Sequence, residues 1–103
     1  MSRIIYTIII ISIVSISSYA DISKGQKLFK YHLRKSCHFS GIKFARNYTP
    51  MEWEDIQSSG KFRDKTKELC PKLKLDSIKE SWWRDIYDFT HHYAKGSGNV
   101  PSC

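Results

Sequence analysis

The feature that most limits this 103-residue chain lies at its start. Arg3 supplies one positive charge. Ile4 to Ile16 is then apolar apart from Tyr6, Thr7, Ser12 and Ser15, and Ser18-Tyr19-Ala20 places small residues at the −3 and −1 positions of a cleavage site. That is the order of a secretory signal peptide. The alternative is an uncleaved anchor, but the run is shorter than the roughly 20 apolar residues a spanning helix needs. Residues 1–20 are therefore expected to be removed, leaving Asp21 to Cys103 as the folded domain, with no stable membrane insertion afterwards. No cysteine at the junction invites lipid modification. The expected compartment is the periplasm or the exterior, where cysteines tend to oxidise.

Of the 17 Lys and Arg, only Arg3 lies in that segment, so the formal net charge of +7 belongs almost entirely to the mature chain. Aromatic residues make up 14% and hydrophobic residues 41%, which excludes a disordered tail. A mean hydropathy of −0.44 with one apolar run excludes a polytopic membrane protein. A domain this short buries a modest core and commonly needs a cross-link, metal, cofactor or partner.

The residue pattern predicts an all-α fold of about four helices, with no β-alternation. Ile22 to Ser36 carries Ile22, Leu28, Phe29, Tyr31 and Leu33 among basic residues, with Gly25 the one small position. Cys37 to Tyr48 has no period and reads as a loop. Thr49-Pro50-Met51-Glu52 is a capping box with proline at the first helical position, and Ser58-Ser59-Gly60 ends that helix. Phe62 to Leu69 is a short charged helix stopped at Cys70-Pro71. Ser77 to Glu80 reads as a second capping box. Ile78, Trp82, Ile86, Phe89 and Tyr93 then form the apolar stripe of a helix expected to reach about Lys95, with Gly96 just beyond it. On that helix Trp82 is expected in the core, with Trp83 and Tyr87 on a flank that covers another helix or forms a surface. Residues 96–103 read as a tail. The even spacing of Cys37, Cys70 and Cys103 is not a repeat, since the intervening segments share no pattern.

A first helix with Gly25, Leu28 and Phe29 leads into Cys37-His38, a loop, the capped Glu52-Trp53 helix, a Cys70-Pro71 turn and an aromatic last helix. This order resembles small class I cytochromes c, over essentially the whole mature chain. The resemblance implies that the first and last helices cross near the glycine. It also implies a bacterial periplasmic electron carrier with haem c as cofactor. Arg34 stands where the family has the first cysteine of its attachment motif, so only Cys37-His38 remains of that motif.

Three readings of these residues compete. In one, Cys37 holds haem by a single thioether, His38 is the axial ligand, and Cys70 or Met51 is distal. In another, the scaffold has kept its helices without the cofactor, and Cys37 and Cys70 face each other across the former haem space. A disulfide between them would close a loop of about 33 residues and contribute roughly 3–4 kcal/mol. Cys103 is then left as a reactive thiol or a dimer-forming cysteine. In the third, Cys37, His38 and His32, with His91-His92, bind a metal, although the spacings match no standard zinc pattern. His91 and His92 also suit the C-terminal end of a helix as cations.

No catalytic triad, paired-carboxylate site or phosphate loop is present, and the chain is not expected to be an enzyme. Glu52, Glu54 and Asp55 fit the start of a helix. Asn47-Tyr48-Thr49 matches the glycosylation triplet, but Thr49 is already committed as a cap. The basic residues are spread along the chain rather than set on a nucleic-acid recognition element. They are densest at Lys24, Lys27, Lys30, Arg34 and Lys35. An acidic periplasmic protein is the expected partner, and no nucleic acid is expected. A cationic membrane-binding effector is the remaining class, against which stand the capped, core-forming helices.

Overall fold

A computed structural model describes residues 18–100, and its regular structure there is entirely helical. One continuous helical rod opens the fold: α1 (Ser18–Leu28), a π-helical turn (Phe29–Leu33) and α2 (Arg34–Cys37). Short helices α3 (Gly41–Ala45), α4 (Pro50–Ser58) and α5 (Phe62–Leu69) follow, then a 3₁₀ turn (Leu75–Ser77) and α6 (Trp82–His92). The fold class is all-α, as the residue pattern predicts. No helix among the described residues is long and apolar enough to cross a membrane. The signal-segment reading falls on residues 1–20, most of which lie outside the described part, as does Cys103.

The rod packs most extensively on α6. Gly25 is the reason the two can approach so closely. A Cβ there would run into the backbone carbonyl of Asp85 and lie 2.8 Å from the Cβ of Phe89. Phe29 and Leu33 of the π-turn, with Ile86 and Phe89 of α6, are fully buried beside this contact. Phe29, Leu33 and Cys37 are four residues apart. In a regular helix of 3.6 residues per turn that spacing drifts around the axis, and the wider π-turn keeps all three facing inward.

The three short helices lie against this pair through an aromatic series. Phe29 meets Phe44 of α3 at 5.1 Å between ring centroids. Phe44 meets Trp53 of α4 at 5.5 Å. Trp53 meets Phe62 of α5 at 5.7 Å, edge on, and Phe62 meets Trp83 of α6 at 6.1 Å. Polar groups in this core are satisfied: Trp53 Nε1 donates to the Ala45 carbonyl at 2.8 Å. The buried Thr66 and Thr90 hydroxyls donate to the carbonyls of Phe62 and Ile86.

Local signals account for most helix ends. Thr49 and Glu52 form the expected reciprocal cap, and Gly60 takes a left-handed φ of 72° just past α4. Several expectations need correction. The segment 37–48 is not all loop. Ser40 caps the one-turn helix α3, its hydroxyl accepting from Lys43 N–H, and α3 buries Phe44 and Ala45. The last helix begins at Trp82 rather than after Ser77, and it ends at His92 rather than near Lys95. The Ser77 hydroxyl donates to the Lys74 carbonyl inside the 3₁₀ turn, and Ile78 is extended, so the second capping box does not form. The later start also changes the core face. Trp83 is buried, whereas Trp82 is half-buried and stacks on His32 at 4.4 Å. Trp83 and Tyr87 both cover Phe62 of α5.

Gly25→Ala is expected to destabilise the fold by about 1–3 kcal/mol through forced separation of α1 and α6, even though alanine favours helix formation. Urea denaturation of the variant beside Lys27→Ala, at an exposed position, measures it. Equal stabilities would show that the contact gives way without cost.

Candidate functional site

Cys37 ends α2 and Cys70 follows α5, and the two are joined in a disulfide with their Cα atoms 4.5 Å apart. Phe62 to Leu69 brings Cys70 to this place because Pro71 stops the helix immediately after it. Cys37 is 5% exposed and Cys70 is fully buried. A thiolate must reach a sulfur in order to exchange with it, so this burial makes the bond a staple.

His38 caps α2 in a left-handed conformation with φ 65°, and its side chain is exposed. Met51, in the first turn of α4, is 73% exposed. These residues do not fit a covalently held haem. The Cys37 sulfur is already bonded to Cys70, His38 faces solvent, and Met51 lies on the surface. The clefts of about 580 and 120 Å³ are lined by none of the four. Among the described residues the histidines and cysteines do not converge on a metal either. His32 lies against Trp82, and His91 Nε2 is 2.8 Å from Glu54 Oε2, linking α6 to α4. The one group of potential metal-ligating side chains that clusters among the described residues is Asp21, Asp85 and Asp88.

That acidic group arises from the packing of α1 on α6 and was not legible from residues so far apart in sequence. Lys24 Nζ lies 3.3 Å from Asp85 Oδ2 and supplies a counter-charge. Burial holds the Asp88 carboxyl above the usual aspartate range. Arg84 opposes this, Asp21 and Asp85 add to it, and His91 opposes it.

The rest of the rod presents the basic residues. Lys24, Lys27, Lys30, Arg34 and Lys35 are all exposed, and Lys24 alone among them makes an ion pair with a described residue. Tyr31, 71% exposed, lies among them with the Lys30 ammonium 5.7 Å from its ring centroid. Beside Lys30 and Arg34 is a depression of about 120 Å³, where Gln26, Ser40, Gly41 and Ile42 surround an edge of Phe89. Gly41 has no Cβ to intrude there, since one would lie 2.7 Å from the Phe89 ring.

No family model, curated protein or solved structure matches this chain.

Two outcomes follow from the site. Cys37→Ala and Cys70→Ala are each expected to cost about 3–4 kcal/mol, with the double variant no less stable than either. Denaturation of the three tests this, and widely different single variants would break the pairing. Asp88 has a folded pKa above its unfolded one, so stability falls as pH rises through that window. Asp88→Asn is therefore expected to raise the melting temperature at pH 7. The gain should vanish near pH 3, where the native carboxyl is protonated. A lower melting temperature at pH 7 would mean that Arg84 and His91 outweigh burial.

Proposed function

We propose that this chain is a secreted, disulfide-stapled helical binding module that docks an acidic protein partner through the basic face of α1 and α2. The observation that carries this is the exposed row of Lys27, Lys30, Arg34 and Lys35, which make no ion pair among the described residues, around the exposed ring of Tyr31. Unpaired positive charge speeds encounter with an acidic surface. Tyrosine and arginine are the side chains that most often anchor protein interfaces.

The burial of Cys37 and Cys70 supports a structural cross-link over thiol exchange. The geometry at Cys37 and His38 offers no support for a haem carrier. Membrane insertion finds little support, because Phe29 and Leu33, the apolar residues at the middle of the rod, are committed to the core. The reading is therefore of a non-enzymatic interaction protein of the periplasm or cell exterior.

Replacing Tyr31 with a photo-crosslinking phenylalanine analogue tests it in the exporting cell. We expect a discrete adduct with a protein bearing an acidic surface, formed less efficiently as salt rises. It should be lost when Lys27, Lys30 and Arg34 are changed to glutamate, and the same analogue at the exposed Met51 should not capture that partner. An adduct indifferent to charge reversal would sink the proposal, as would none at all.

A further inference from the structure

A cleft of about 580 Å³ opens between the beginnings of α5 and α6, lined by no residue of the basic face just described. It is an open cleft rather than an enclosed cavity. Phe62 and Trp83, 3% and 6% exposed, form its floor. Arg63, Glu80 and Arg84 stand around it.

Arg63 makes two contacts here. Its guanidinium lies 5.4 Å from the centroid of the Trp83 ring, and it donates to the Glu80 carboxylate. The face of the buried indole attracts the guanidinium as a cation–π contact. The ion pair adds little, because the Arg63 and Glu80 side chains are 45% and 79% exposed and such surface pairs are weak. Glu80 is thus a carboxylate resting on a guanidinium that the indole also attracts. Arg84, on the first turn of α6, lines the same cleft. Its charge acts on Asp88, one turn further along α6. Guanidinium forks recognise carboxylates by paired, charge-assisted hydrogen bonds.

From this geometry we infer that the cleft binds a small dicarboxylate. One carboxylate takes the place of Glu80 on Arg63, the other is held by Arg84, and Glu80 is the intramolecular competitor that the ligand displaces. This site is independent of the partner surface on α1 and α2 and shares no residue with it.

The test is titration of the exported, oxidised protein with succinate at constant ionic strength, following the Trp83 indole and arginine side-chain N–H signals by NMR. Saturable shifts at Trp83 and Arg63 are expected, with acetate much weaker because it engages a single guanidinium. Arg63→Gln and Arg84→Gln should each weaken binding at least about tenfold while keeping the native melting transition. Glu80→Gln should tighten it about two- to fivefold, as loss of a weak surface competitor allows. Linear, unsaturating shifts would overturn the inference, as would unchanged affinity in either arginine variant. So would inorganic phosphate binding more tightly than succinate, or a Glu80→Gln protein that binds no better than the native one.

Discussion

The close approach of α1 and α6 at Gly25 organises everything else in the fold. Two helices can bury Phe29, Leu33, Ile86 and Phe89 between them only if their backbones come near enough, and Gly25 under the Asp85 carbonyl sets that distance. The remaining helices have 5, 9 and 8 residues. Helices of that length do not hold alone in water. Each instead contributes an aromatic ring to the series Phe29, Phe44, Trp53, Phe62 and Trp83, which starts on the rod and returns to α6. Edge and offset ring pairs of this kind add roughly 0.5–1.5 kcal/mol each beyond their buried area. The aromatic content of the chain is therefore used as connective packing between elements too short to pack by aliphatic ridges.

The disulfide, itself buried, completes the same arrangement. It ties the end of the rod to the end of α5, so the segment carrying α3, α4 and α5 is closed on itself. A staple at that place also fixes what the surrounding residues can do. With the Cys37 sulfur committed and His38 turned to solvent as a helix cap, the one stretch that looks like a cofactor motif becomes a structural corner. Chemistry then has to be sought on the surface, where the charges are.

Much of this was legible in the residues, and the exceptions have physical causes. The Thr49–Glu52 box, the Ser58-Ser59-Gly60 stop and the Phe62–Leu69 helix depend on local hydrogen bonds and backbone preferences, which sequence carries directly. The box at Ser77–Glu80 has the same letters but fails. Ser77 turns to the Lys74 carbonyl, and Glu80 turns to Arg63, 17 positions away. The four-residue delay in the helix start then makes Trp83, not Trp82, the core residue. The one-turn helix α3 has no period long enough to detect, and it exists because Phe44 is held between Phe29 and Trp53. The pairing of Cys37 with Cys70 came from a resemblance in the order of elements. The Asp21, Asp85 and Asp88 group and the Arg63, Glu80 and Arg84 cleft depend on which helices meet, and no local pattern announces them.

The charge on the rod is not explained by the fold. Lys30, Arg34 and Lys35 lie toward its C-terminal end, where a cation gains from the helix dipole. One or two charges would obtain that gain. Lys27, Lys30 and Arg34 instead lie three and four residues apart, a spacing at which like charges on a helix repel by roughly 0.2–0.5 kcal/mol per pair. In α1 the fold answers Lys24 with Asp85, yet it pairs none of the others with a described carboxylate. Solubility depends on the size of the net charge, +7 here, and does not call for basic residues set in a row with an exposed tyrosine among them. A face whose charges oppose one another in the free protein is relieved when an acidic surface covers it. On the proposed reading, an acidic partner would offset the repulsion retained along Lys27, Lys30 and Arg34.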